Sequence, residues 1–225
     1  EEYLNDHGFR RIAKRLNRTG VIDMVGTAAP GIDDVVVLGK VKHYEKSTEY
    51  DLIVVDGPAA GHAVTFLMSA TGLADAVRGG PVRSQADDVL ELLAEPERCM
   101  TVLVTLPETT PVNETIETAY ALEDDVGIRL GPVVVNGVDQ GTELPKVGEV
   151  ETALQAADLG DAVTDVLRDA AAFRRSRRSM ERKAIDRLAV GLPLDQVQIR
   201  ALPVAGLDAD DIDALADELL VKSGS

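Results

Sequence analysis

Four short apolar runs, separated by helix-length segments, constrain the fold of this chain more than any other feature. Each run is bounded by charged or turn residues, and the runs occupy residues 51–56, 99–108, 131–138 and 197–204. Short runs of this kind are typical of buried parallel strands. The long segments between them indicate helical crossover connections. The sequence therefore predicts an α/β fold, with a parallel sheet flanked by helices, in a single domain over residues 1–225.

The segments outside the runs carry signals for helix starts and stops. Thr110 is a candidate cap for one helix and Gly127 is its candidate stop, while Asp208 can cap the last helix of the chain. Asp33 and Asp34 suit the first turn of an earlier helix, because acidic side chains are favourable at a helix N-terminus. Predicted helices lie within residues 1–20, 30–47, 109–127, 161–191 and 207–224.

Charge and cysteine content exclude several classes of function. The chain has 23 basic and 39 acidic residues, which gives a net charge of −16, so we predict no nucleic-acid partner bound through phosphate contacts. A single cysteine excludes an intrachain disulfide and a zinc site made of cysteines alone. No run of 18 apolar residues occurs, so we predict no transmembrane segment.

Asp56 closes the first apolar run and is followed by the small residues of 57–61 and then His62. A carboxylate at this position is typical of the acid that holds Mg²⁺ through water in P-loop nucleotidases. The turn from Gly57 to Gly61 has no bulky side chain, so its backbone amides could approach a γ-phosphate. The alternative is that Asp56 simply caps the next helix. His62, taken alone, is more typical of a surface or capping residue.

Further polar or turn residues follow the later runs. Asn136 can both donate and accept a hydrogen bond, as recognition of a purine edge requires, or it can be an ordinary turn residue before Gly137. Pro203 suits either a turn or the lining of an adenine pocket. One basic cluster stands out in the acidic chain, and we favour a solvated helix face over an anion or partner patch for it. Its members are Arg174, Arg175, Arg177, Arg178, Arg182 and Lys183.

Taken together, these stretches resemble the ArsA anion-pump and tail-anchored-protein-targeting ATPase family, a branch of the deviant-Walker P-loop nucleotidases. "PGIDDVVVLGKV" resembles the family's segment upstream of switch II, and "YDLIVVDGPAAGHAVTFL" resembles its Walker B strand followed by switch II. "LPETTPVNET" resembles its Glu-Thr helix start, here Glu114-Thr115. "GPVVVNGV" is similar to the strand whose Asn contacts adenine, and "QIRALPVAGLDADDIDALADEL" to its closing Leu-Pro segment and last helix.

The resemblance implies a P-loop NTPase-like fold and hydrolysis of ATP to ADP with Mg²⁺ as cofactor. Asp56 would organise the metal, residues 57–62 would form switch II with Gly61 and His62 in catalytic positions, and Asn136, Pro203 and Gly57 would bind the nucleotide. It also implies a cytoplasmic protein that pairs as a homodimer, or as a heterodimer with another ATPase subunit. The implied client is an anion or a membrane protein.

The chain departs from that family in its phosphate-binding parts. It contains no G-x-x-x-x-G-K-[ST], and Gly39-Lys40 lacks both the upstream glycine and the hydroxyl. We therefore expect the P-loop and switch I to lie upstream of residue 1, which would make this chain the C-terminal remainder of an ArsA-related ATPase, inactive alone. One alternative is a non-catalytic regulatory or scaffold partner of an intact ATPase. Another is a different α/β enzyme whose ligand binds at the same sheet edge.

Overall fold

The computed structural model describes residues 32–47 and 49–223. The predicted helix over residues 1–20 lies outside this range. The described residues divide into two compact units, one within 32–100 and 120–129, the other within 101–119 and 130–223. The single domain over the whole chain stays a prediction.

The described part of the first unit is mainly helical. Asp33 and Asp34 lie in the first turn of its first helix, as predicted from their charge. Pro81 begins the third helix, where its missing N–H costs no hydrogen bond. The three helices are α1 (Ile32–Lys46), α2 (Ala60–Ala76) and α3 (Pro81–Ala94).

Apolar packing and ion pairs hold this first unit together. A buried cluster joins the three helices and consists of Val35, Leu73, Ala74 and Ala86. Lys42 on α1 is buried and forms an ion pair with Asp88 on α3, which lowers the pKa of the Asp88 carboxyl. Arg98 donates two hydrogen bonds to the Glu45 carboxylate, at 2.8 and 3.0 Å. These contacts link the end of α1 to α3 and to the segment after it.

The first apolar run is not a strand, so the prediction of a buried strand at residues 51–56 is wrong for this structure. Residues 52–59 have no regular secondary structure, and the side chains of Leu52 and Val54 are 80% and 82% exposed. A strand needs a neighbour to pair with its backbone. None of the described strands pairs with this run.

The second unit contains a parallel sheet, which confirms the predicted α/β class. Val104 lies opposite Val134 in the first pair of strands, and Val134 lies opposite Val197 in the second. The strand order is β1-β2-β3, so β2 is central. The strands are β1 (Val104–Thr105), β2 (Val133–Val138) and β3 (Gln196–Arg200). They fall within or overlap the second, third and fourth predicted runs.

Three of the four remaining helices lie within predicted segments, while α5 was not predicted. The helices are α4 (Thr109–Ala121), α5 (Val147–Ala157), α6 (Asp161–Gly191) and α7 (Ala209–Ser223). Thr110 lies inside α4, so its predicted capping role is wrong. A π-helical turn, Leu122–Val126, extends α4 and ends at Gly127, whose φ of 72° confirms the predicted stop. Asp208 caps α7 as predicted, since its Oδ1 accepts the Asp211 N–H at 2.9 Å.

The core of the second unit lies between the sheet and helices α4 and α6. Its buried members are Val112, Ala119, Val133, Val135, Val138, Ala184, Leu188 and Leu192. The alternate side chains of the segment that contains β1 stay exposed, notably Val104 at 64%. In the described ranges, no helix is both long enough and apolar enough to span a membrane.

Candidate functional site

The carboxyl ends of the three strands place the predicted base-binding residues along one edge of the second unit. Asn136 lies on β2 opposite Ile199 of β3. Pro203 follows Ile199 by four residues, in the segment that leaves β3. Both Asn136 and Pro203 are exposed. In an open parallel sheet this edge is where ligands bind. The structure therefore brings these two predicted residues to the same edge.

A bulge in β2 shapes the surroundings of Asn136. The register runs from Asn136 opposite Ile199 directly to Val138 opposite Arg200, so Gly137 is the extra residue. Its φ of +78° is in the left-handed region that favours glycine. The inserted residue returns Val138 to the buried face while Asn136 points outward, exposed. Among the described residues, no hydrogen bond engages the Asn136 side-chain amide, which leaves it available to a ligand.

The segments that leave β2 and β3 are tied to each other beyond this bulge. The Ala201 N–H donates to the Val138 carbonyl at 2.9 Å. The Gln140 side-chain amide donates to the Gln198 carbonyl at 3.3 Å. These bonds keep the two exits adjacent, so a ligand that contacts Asn136 can also reach the backbone that leads to Pro203.

An arginine-rich stretch of α6 holds the loop of residues 139–145, which follows β2. Arg174 donates two hydrogen bonds to the Asp139 carboxylate, at 2.7 and 2.9 Å. Arg178 donates to the carbonyls of Gly141 and Thr142, at 3.3 and 3.2 Å. The loop is thus anchored through a side chain and through its backbone.

Neither sequence interpretation of the basic cluster included this internal role. Arg175 donates to the Pro145 carbonyl at 2.8 Å, and Arg182 lies 3.5 Å from the Glu143 carboxylate. The spacing of the cluster carries a usable signal, because residues 174, 178 and 182 recur every four positions and so share one helix face. Asp139 and Glu143, in the loop that follows β2, are acidic and can therefore pair with these arginines.

The ion pair between Arg174 and Asp139 makes the stability of the second unit depend on acidity. The Arg174 guanidinium lowers the pKa of the Asp139 carboxyl from 3.8 to about 2. Since the folded pKa is the lower one, the stabilisation is present above pH 4 and is lost as pH falls through about 2. The wild-type chain is expected to exceed Asp139→Asn by about 1–2 kcal/mol in free energy of unfolding at pH 5, after allowance for partial exposure.

Denaturant titrations at several pH values between 5 and 2 measure this difference. It should shrink steadily in the acid range, because protonation of Asp139 then removes the same charge that the substitution removes. A difference that stays constant from pH 5 to pH 2 would show that the pair does not stabilise the fold.

Asp56, in the first unit, lies on the surface rather than at the end of a buried strand. It borders a groove of about 460 Å³ between α1 and the segment 53–56. The other lining residues are mostly apolar, namely Val36, Val37, Lys40, Val41, Tyr44, Ile53, Val54 and Val55. Asp56 makes no ion pair or hydrogen bond with other described residues. Its carboxylate is therefore accessible to a cation.

The turn after Asp56 is open, and Asp56 does not cap the following helix. Helix α2 has Ala59 as its N-cap and no side-chain capping bond, so the alternative role of Asp56 as a cap is wrong. A Cβ atom added at Gly57 or Gly61 would meet nothing within 4 Å. His62 is exposed in the first turn of α2, and its N–H donates to the Ala59 carbonyl at 2.8 Å. The turn after Asp56 is therefore free of bulky side chains, and open space adjoins both glycines.

The donor set at Asp56 fits Mg²⁺ bound to a nucleotide better than a metal held by protein alone. No group of three or more His, Cys, Asp or Glu residues within the described ranges could hold a metal ion. Magnesium is commonly bound through one or two carboxylates, with waters and substrate phosphates as its other ligands. A single exposed carboxylate beside an open glycine turn is compatible with that arrangement. That Asp56 and Asn136 form one site stays a prediction, since the two residues belong to different units.

Comparison with known proteins adds independent information. Residues 4–78 match the model of a family described as anion-transporting ATPase. The ATPase BagA of Mycobacterium tuberculosis (strain H37Rv) is 37% identical over 142 residues, which cover 60% of this chain and 41% of that protein. A putative arsenical pump-driving ATPase of Halobacterium salinarum is 30% identical over 120 residues, which cover 48% of this chain and 18% of that protein. The chain thus spans less than half the length of these relatives.

Proposed function

We propose that this chain, whose residues 4–78 match the model of the anion-transporting ATPase family, supplies the base-binding and magnesium-binding parts of an ATPase. In this proposal Asn136 and the backbone near Pro203 bind the adenine of ATP or ADP. Asp56 holds Mg²⁺ through water, and residues 57–62 respond to the γ-phosphate. When bound, MgATP would supply the γ-phosphoryl group that is transferred to water.

The observation that carries the proposal is the state of Asn136. An amide that both donates and accepts is exposed at the carboxyl edge of a parallel sheet, beside a glycine bulge, and no described residue uses it. An adenine edge offers the complementary acceptor and donor. A turn-forming Asn would be expected to bond its own neighbouring backbone instead. The geometry therefore favours a ligand role over a turn role.

The open turn after Asp56 supports the second half of the proposal. Gly57 and Gly61 have negative φ or extended backbone and empty space at their Cβ positions, so local structure alone gives no reason for glycine there. A close approach by a phosphate group would give such a reason. Gly61 lies in the first turn of α2, where backbone N–H groups without intrahelical partners favour an anion, while the N–H of His62 already donates to the Ala59 carbonyl.

The phosphate-binding loop of the proposed ATPase would have to come from outside residues 1–225, because the chain contains no G-x-x-x-x-G-K-[ST]. The same observation favours a second candidate, a non-catalytic regulatory or scaffold partner of an intact ATPase. Nucleotide-driven opening and closing of a dimer, coupled to an anion or membrane-protein client in the cytoplasm, completes the proposal.

Replacing Asn136 by alanine tests base recognition. We expect the affinity for ATP to fall about tenfold while the affinity for GTP changes little, because only the adenine edge loses a matched partner. Isothermal titration with ATP and GTP on the 225-residue chain measures both. Gln155→Ala is the control, since it removes an exposed side-chain amide from α5 in the same unit.

Two results would count against the proposal. If the unaltered chain binds ATP and GTP equally, or neither, the assignment of a base site to this edge fails. If the chain prefers ATP but the protein expressed from its complete gene shows no Mg²⁺-dependent turnover, the scaffold function is favoured over the ATPase.

A further inference from the structure

The loop of residues 139–145 begins three residues after Asn136, and its anchors come from one stretch of α6. Five side chains between positions 174 and 182 contact the loop, while the loop itself has no regular secondary structure. They are Arg174, Arg175, Arg178, Glu181 and Arg182. A loop with this many contacts to one helix takes its position from that helix.

Asp139 is held at two points at once. Its backbone N–H donates to the Glu181 carboxylate at 3.1 Å, and its own carboxylate accepts the two bonds from Arg174. Glu181 is only 5% exposed and also accepts a bond from Arg177 at 3.1 Å. A buried carboxylate with two donors has little freedom to move, so it fixes the loop's first residue.

Close packing adds to this anchoring. A Cβ atom at Gly141 would come within 2.5 Å of an Arg174 guanidinium nitrogen. The Gly141 N–H donates to the Asp139 carboxylate at 3.0 Å. The guanidinium therefore lies directly against the loop backbone and closes a compact turn over residues 139–141.

The segment between this anchor and Asn136 contains the flexible point of the strand. Gly137 has the widest conformational freedom of any residue type, and it is the extra residue of the bulge. Pairing with β3 fixes Asn136 on one side of Gly137. On the other side, Val138 also pairs with β3 and is buried, and the next residue, Asp139, is held by α6.

We infer that Arg174 is a positioning residue for purine recognition, acting through Asp139 to hold the bulge that presents Asn136. The inference rests on the proposed function. It adds a residue on a different element, 38 positions away in sequence, that determines base specificity without touching the nucleotide. Without Arg174 the loop and Val138 keep their other bonds, but Asp139 gains freedom beside the glycine bulge and the Asn136 amide samples more orientations.

Arg174→Ala and Arg168→Ala form a matched pair for the test. Both arginines lie on α6, make a two-point contact with one carboxylate, and have similar side-chain exposure, 36% for Arg174 and 41% for Arg168. Arg168 contacts Glu151 on α5, at 2.7 and 3.2 Å, and also pairs with Asp165 of its own helix, but it bonds to no described residue of the loop. Loss of an ion pair from the helix is therefore common to both variants, and loss of the loop anchor is specific to one.

The readout is the ratio of the dissociation constants for GTP and ATP, measured by titration on the 225-residue chain. Arg174→Ala is expected to lower this ratio about fivefold, towards the value of Asn136→Ala, while Arg168→Ala leaves it unchanged. Arg174→Lys, which keeps a single-point contact, should recover part of the ratio. Hydrogen exchange should become faster at the amides of 139–141 in Arg174→Ala alone.

Each remaining outcome overturns the inference. An unchanged ratio in Arg174→Ala, with ATP preference intact in the unaltered chain, removes the positioning role but leaves the proposed function standing. Equal losses in Arg174→Ala and Arg168→Ala show a general stability effect. No base preference in the unaltered chain overturns the proposed function and this inference together.

Discussion

Replacement of Asp56 by asparagine is expected to lower Mg²⁺-dependent ATP turnover by about 100-fold or more, equivalent to about 2.7 kcal/mol of activation free energy. Asparagine keeps the size of the side chain and one oxygen, but it removes the charge that attracts the hydrated cation. Turnover is measured on the protein expressed from its complete gene, with Mg²⁺ and with EDTA. Without the metal, nucleotide affinity should be the same in both proteins.

The surroundings of Asp56 allow an effect on turnover to be distinguished from an effect on stability. Asp56 is exposed and has no ion pair or hydrogen bond with other described residues, so its replacement should change the free energy of unfolding by no more than about 0.5 kcal/mol. Asp51→Asn is the matched control, since it removes an exposed carboxylate from the same segment. Turnover that survives Asp56→Asn, or that falls equally in Asp51→Asn, would remove the metal-binding role from Asp56.

Leu188→Ala is expected to destabilise the second unit by about 2–5 kcal/mol. Leu188 is completely buried on α6 and belongs to the core that includes Val133 and Val135 of the central strand. Removal of most of its side chain leaves a cavity that rigid neighbours on the sheet can fill only in part. Urea denaturation followed by circular dichroism measures the loss, and hydrogen exchange of the β2 amides assigns it to this unit.

The control for this substitution is two residues away on the same helix. Val190 is 88% exposed, so Val190→Ala should alter the free energy of unfolding by no more than about 0.5 kcal/mol. A loss below 1 kcal/mol in Leu188→Ala would mean that α6 does not pack against the sheet as described.

Local signals were enough to predict most elements of the fold. The family resemblance drawn from the ordered motifs is confirmed by the family match and by the related ATPases. Gly127 and Asp208 end and begin helices as predicted, because left-handed glycine and aspartate caps act within a few residues of chain. The run at residues 51–56 failed because strand formation depends on a neighbour, which local composition does not reveal.

At the candidate site, too, local sequence indicates where strands end but does not indicate which distant residues come into contact. Asn136 and Pro203 lie at the same edge because the parallel strands β2 and β3 end on the same side of the sheet. Their role in base binding stays a prediction. The pairing of Arg174 with Asp139 depends on how a long helix lies against a loop 35 residues earlier, which periodicity alone does not specify.

Helix α6 both supports the loop of residues 139–145 and contributes side chains to the core, which constrains any redesign of this protein. One face of it carries Glu181 beneath the loop, and the next turns carry Ala184 and Leu188 into the core. A substitution that shifts the helix to improve its packing therefore also shifts the support of the sheet edge. Under the proposed function, we therefore expect a change in the packing of this helix to alter the thermal stability of the unit and its ligand preference together.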